Sequence, residues 1–214
     1  MPENPPVAAV LSHSFRQLAR EHGADEQLIA ECWRELAAAY EGAGRHYHNL
    51  AHLAAMLAEL APFQARARDW AGLRFAVFYH DAVYEVPGAR NEALSAELAQ
   101  RRLPALGVPA ATVARCAALI RATQHHAPSG DFDTDVLLDA DLAVLGRPWP
   151  TYARHYAAAI RREYAVYPDE VYQPGRRAVL TSLLARPRLF QTPEFYARYE
   201  MQARENLTRE LAGL

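Results

Sequence analysis

Residues Trp70–Tyr84 read WAGLRFAVFYHDAVY. Within them Trp70, Leu73, Val77, His80, Asp81 and Tyr84 recur at the three- and four-residue spacing of one helical face. At about 100° per residue all six fall in a single arc. A histidine and an aspartate therefore occupy the stripe that should face the core. Burying an ionised carboxylate without a partner costs several kcal/mol. Adjacent helical residues do not face one another, so His80 and Asp81 require compensation from another element.

The same periodicity extends in both directions. Leu28, Ile29, Cys32, Trp33, Leu36 and Tyr40 form one stripe before it, and Leu50, Leu53, Leu57 and Leu60 another, which Pro62 ends. After it come Leu94 with Leu98, then Val113, Cys116, Ala117 and Ile120, then Leu137, Leu138, Leu142 and Leu145. Stretches around 151–167, 175–186 and 193–212 also read as helices, punctuated by Pro168, Pro174, Pro187 and Pro193. Strand-like alternation is nowhere sustained. The expected fold is all-α: one domain over 1–214, with a motif core at about 45–146 and the C-terminal helices 151–212 packed on it.

Composition narrows the function classes. The 214 residues are 51% apolar with a formal net charge of -2, enough chain for a core and no basic field for a nucleic-acid track. All 23 basic residues are arginine, which excludes a Walker-type phosphate lysine and a Schiff base. Cys32 and Cys116 are too few for a disulfide framework or a thiolate cage and read as buried hydrophobes. No secretory signal pattern and no apolar run of about 18 residues is present, so a cytoplasmic protein without membrane contact is expected.

Two further segments carry chemistry. Arg45–His52 reads RHYHNLAH and opens the second helical stripe, with His48 and His52 four residues apart on one face at its margin. That places them at a pocket edge or at the surface. In VLLDADLAVLG the wheel puts Asp141 in the middle of the apolar arc and Asp139 on the opposite side, solvated or behind the ligands. Inward acids and histidines on three helices are balanced together by a divalent cation with mixed nitrogen and oxygen ligands.

The order His, then His-Asp, then Asp on successive helices resembles the HD superfamily of metal-dependent phosphohydrolases. The resemblance implies a helical HD-type bundle with metal ligands His52, His80, Asp81 and Asp141. The string Tyr47-His48-Asn49-x-x-His52 is similar to the cyclic-nucleotide phosphodiesterase version, which makes His48 the general acid. The whole chain is similar to a small bacterial group of predicted HD phosphohydrolases, through FYHDAVYEVPGARNEALSAELA, LIRATQHH and EMQARENLTREL. The implied activity is hydrolysis of a small phosphate ester, such as a nucleotide, by metal-activated water, with Asp81 bridging to another metal or taking the water's proton. Imidazole plus carboxylate suits Mn, Fe, Ni, Co, Zn or Mg, one or two ions per chain.

Other residues stay open. His125 and His126 are candidates for a second metal, for a phosphate contact, or for a helix C-terminal cap. Glu92 either orients a ligand in the pocket or belongs to an ordinary first turn. The pairs Arg161-Arg162 and Arg176-Arg177 either grip a phosphate or lie on solvated faces. An oligomer is compatible with the sequence. Two other functions fit the same residues: a non-catalytic metal- and nucleotide-binding regulatory module, and a di-iron HD-type oxygenase.

Overall fold

Side-chain caps and apolar spacing set the helices one after another in the computed structural model, which describes residues 6–214. No strand occurs among the described residues. Helix α1 (Val7–Arg20) buries Leu11, Phe15, Leu18 and Ala19, an i, i+4, i+7, i+8 pattern that the reading above did not assign to a helix. Helix α2 (Glu26–Tyr40) starts where the Asp25 carboxylate accepts the amides of Gln27 and Leu28. Helix α3 (Leu50–Leu60) is capped by Asn49, and α4 (Trp70–Tyr79) by Asp69. Helices α5 (Asn91–Arg102) and α6 (Ala110–Ala122) follow, joined by a 3₁₀ turn at Pro104–Leu106. Gly107 closes that turn at a φ of 74°, where a Cβ would meet the His22 carbonyl at 2.5 Å.

Backbone proximity groups the chain into two compact units, one ending at Ala127 and one spanning Pro128–Leu214. In the first, α4 packs against α5 and α6, which pack on each other, while α1 lies against α2, α3 and α4. Phe15 stands edge-on to Phe75 and Phe78, and all three are fully buried. Side chains of this size each stabilise the fold by about 1.5–3 kcal/mol on burial.

The second unit begins with α7 (Phe132–Leu142), which tightens into a 3₁₀ turn at Ala143–Gly146. Helix α8 (Trp149–Tyr152) runs through a π turn at Ala153–Ala157 into α9 (Ala158–Glu163). Helices α10 (Asp169–Leu184) and α11 (Pro193–Gly213) complete it. Helix α11 packs on the turn at Gly146, where a Cβ would sit 2.5 Å from that of Tyr199. Asn206 fixes the same contact by donating to the carbonyls of Leu145 and Arg147, both at 2.7 Å. Pro174 does not separate two helices as expected. It lies inside α10, exposed in its second turn, where the missing amide costs one bond that solvent can replace. No helix among the described residues is long and apolar enough to cross a membrane.

Candidate metal centre

The cluster rests on two helix ends. Asn49 caps α3 by accepting the Ala51 amide at 2.9 Å and donates to the His46 carbonyl at 3.0 Å. His52 therefore sits in the first turn of α3, buried, whereas His48 precedes the helix. The two histidines are not stacked on one helical face. The loop brings them together instead, with ring centres 5.9 Å apart.

Helix α4 also differs from its wheel. Its last residue is Tyr79, and Asp81 already lies in the following turn. In a continuous helix His80 and Asp81 would point apart, because adjacent helical side chains diverge. Leaving the helix at this point removes that restriction. His80 Nε2 lies 3.2 Å from Asp81 Oδ2 and 3.3 Å from His52 Nε2. His52, His80 and Asp81 each offer one ligand atom, and these lie within 4.8 Å of one another. Both imidazoles are buried, and Asp81 is 9% exposed.

One hydrogen bond fixes the chemistry of the cluster. His80 Nδ1 is 2.9 Å from the carbonyl oxygen of Val77, which can only accept, so Nδ1 carries the proton. In the neutral ring, Nε2 then presents a lone pair towards the second imidazole and the carboxylate. With His80 Nε2 at 3.2 and 3.3 Å from its two neighbours and all three ligand atoms within 4.8 Å, the group suits a cation between them. The donor set of two nitrogens and one oxygen fits a divalent transition metal.

Several residues with no site role in the sequence reading build the walls. The Tyr40 hydroxyl accepts the Asp81 amide at 3.2 Å. Arg45 donates to the carbonyls of His48 (3.2 Å) and Ala82 (3.4 Å) and lies over the rings of Tyr40 and Tyr84. Tyr84 packs on His48 with ring centres 4.5 Å apart, and Tyr47 contacts both His48 and His52. The turn after Asp81 is pinned from α5. Ser95 accepts from and donates to Val83, and the Asn91 amide pairs with both backbone groups of Glu85. In the sequence Asn91 and Ser95 stand within the segment FYHDAVYEVPGARNEALSAELA, downstream of its His-Asp pair.

The remaining candidates separate. His48 Nε2 is 3.9 Å from Asp81 Oδ2, at the edge of the cluster. His125 is exposed and His126 half-buried beyond the end of α6, and neither belongs to the ligand group. Glu92 is half-buried in the first turn of α5, also outside the group.

In the second unit the phase assigned to α7 is reversed. Asp139, expected on the solvated side, is 1% exposed, whereas Asp141, expected at the centre of the buried arc, is half-buried. Helix α7 is buried on nearly every side over Asp133–Ala140, so its apolar arc carries little phase information. Asp139 accepts the amides of Gln191 and Thr192 at 2.8 and 2.7 Å and the Thr192 hydroxyl at 2.7 Å, which anchors the start of α11. Burial pushes its carboxyl up to about 6, against the pull of the Thr192 and Gln191 hydrogen bonds.

The arginine pairs also divide. Arg162 and Arg177 are exposed. Arg161 pairs with Asp169 at 2.6 Å and caps the carbonyls of Tyr164 and Tyr167, and Arg176 is buried against Glu210 at 2.7 Å. A cleft of about 620 Å³ beside them, walled by Trp149, Tyr172 and Arg209, takes its remaining charges from these internal pairs.

Protein-family models, curated proteins and solved structures give no match to this chain.

Proposed function

We propose that the chain is a metal-dependent phosphohydrolase acting on a small phosphate ester, such as a nucleotide. The observation that carries this reading is the meeting of His52, His80 and Asp81 ligand atoms within 4.8 Å of one another, with His80 Nδ1 bonded to the Val77 carbonyl so that its Nε2 is turned to the group. The resemblance to the HD superfamily gives the reaction class.

A divalent ion bound here supplies Lewis-acid chemistry, lowering the pKa of a water ligand and withdrawing charge from phosphorus. The residues around it divide the remaining work. His52 and His80 hold their nitrogens in a buried, water-poor setting that strengthens every charge interaction. The second carboxylate oxygen of Asp81 takes the proton of the attacking water. His48, 3.9 Å from Asp81 and partly open to solvent, delivers a proton to the leaving oxygen.

The test is metal content per chain in protein purified without chelator, wild type beside Asp81→Ala, followed by turnover of bis(p-nitrophenyl) phosphate with Mn²⁺, Co²⁺ or Ni²⁺. About one ion per wild-type chain, lost in the variant and accompanied by turnover, supports the reading. Metal without turnover of any phosphate ester favours the regulatory module. Two irons with a visible absorption band favour the oxygenase. A wild-type chain that takes up no divalent ion overturns the metal centre itself.

A further inference from the structure

Arg45 stands out on charge grounds. It is half-buried beside the cluster, and among the described residues no carboxylate pairs with it. Its contacts are two carbonyls and two aromatic faces. Nη1 donates to the carbonyl of His48 on the loop before α3. Nη2 donates to the carbonyl of Ala82, next to Asp81 in the turn after α4. The guanidinium plane is fixed by Tyr40 at 5.2 Å on α2 and Tyr84 at 4.9 Å beyond the turn.

Each aromatic partner also touches the site directly. Tyr40 receives the Asp81 amide, and Tyr84 packs on the His48 ring. One planar fork thus spans two segments: the loop carrying His48 and the turn carrying Asp81. A planar guanidinium with several donors can bridge two carbonyls while stacked between rings, whereas a lysine ammonium is a point charge without a stacking face.

We propose that Arg45 is the positioning residue of this site: it ties the His48 loop to the Asp81 turn and thereby sets the 3.9 Å approach of His48 Nε2 to Asp81 Oδ2. The catalytic part of this assignment rests on the phosphohydrolase reading; the structural tie does not. An error of about 1 Å in the placement of a reacting group can cost on the order of a hundredfold in rate.

Two measurements on the full chain test it. The first is amide hydrogen exchange, with and without added Mn²⁺, in wild type, Arg45→Met and Arg45→Lys. Exchange should rise at least tenfold over residues 46–49 and 82–84 in both variants, while the middles of α3 and α4 keep their protection. The second is a double-variant cycle in turnover of bis(p-nitrophenyl) phosphate. Arg45→Met should lower kcat tenfold or more with KM within twofold, yet cost less than threefold when His48 is already glutamine. A purely structural role gives equal losses in both backgrounds.

Unchanged exchange in both variants overturns the tie, whatever the metal does. Equal losses with and without His48 overturn the catalytic role. A wild type that neither binds metal nor turns over removes the phosphohydrolase reading, and the exchange measurement still decides the tie. Should Arg45→Met fail to fold, Arg45→Lys carries both measurements.

Discussion

Asp81 and Asp139 are both buried carboxylates, and they are stabilised in different ways. Asp139 faces hydrogens: two amides and a hydroxyl at the start of α11, all within 2.8 Å. At Asp81 the backbone amide donates to the Tyr40 hydroxyl, and Oδ2 lies 3.2 Å from His80 Nε2 and 3.9 Å from His48 Nε2. A carboxylate with three donors is a complete structural unit, like the cap of a helix. A carboxylate oxygen that faces an unprotonated imidazole nitrogen requires a proton or a cation between them. Burial alone thus says little about function; the sign of what faces the acid says much more.

Exchanging the fates of the two acids is the strongest way to break this comparison. Asp81→Ala should weaken metal binding by at least a hundredfold, since losing even an outer partner of a metal ligand typically costs 10–100-fold. The metal-free form should unfold in urea near the wild-type midpoint. Asp139→Ala should do the reverse, losing about 3 kcal/mol because two buried amides are left without acceptors, while still taking up metal. Elemental analysis and urea unfolding on both proteins give the four numbers. Loss of metal from Asp139→Ala under conditions where it remains folded would erase the distinction.

How much of this was legible differs from residue to residue. Helical periodicity alone located α2 and α3, because each buries one stripe and exposes the rest. Leu11, Phe15 and Leu18 carry the same pattern in α1. The residue types at His52, His80 and Asp81 were readable, and these three meet. Helix ends were not. Nothing in FYHDAVY breaks a helix by propensity, so the exit after Tyr79 follows from tertiary bonds to Tyr40 and Ser95 that lie 41 and 12 residues away. The phase of α7 failed for a related reason, since a helix covered on nearly all sides has no single apolar face to read. Arg45 was quoted as part of a motif, but its role depends on Tyr40, Ala82 and Tyr84, a combination that no local pattern encodes.

A smaller effect sharpens the electrostatic side of the comparison. The Asp139 carboxyl is pushed up to about 6 by burial, whereas the unfolded chain has it near 3.9, an ordinary carboxylate value of about 4. The native state therefore holds this proton over a pH range where the unfolded state has released it. Its stabilising contribution is complete below about pH 4 and is lost as the pH rises through about 6. A shift of about two units corresponds to at most about 3 kcal/mol. In urea unfolding, the stability of wild type relative to Asp139→Asn should fall between pH 4.5 and pH 7 by up to that amount. A flat difference would mean that the amides of Gln191 and Thr192 fully offset the burial, and a rising one that they outweigh it.

The smallest effect concerns the histidines that stayed outside the cluster. His126 has a φ of 47°, the left-handed region, directly after its amide closes the last turn of α6 on the Ala122 carbonyl. Glycine is the residue that fits this position without a Cβ penalty. His126→Gly should therefore stabilise the first unit by about 0.5–1 kcal/mol, read as a rise in the urea midpoint at constant slope. Metal content should stay at the wild-type value, because His126 lies outside the ligand group. A variant that is more stable and keeps its ion assigns His126 to the helix end. If it loses metal, or loses stability despite the relieved backbone, its imidazole contributes an interaction worth more than the strain it imposes, and the contrast between a metal-holding pair and an outlying pair of histidines no longer holds.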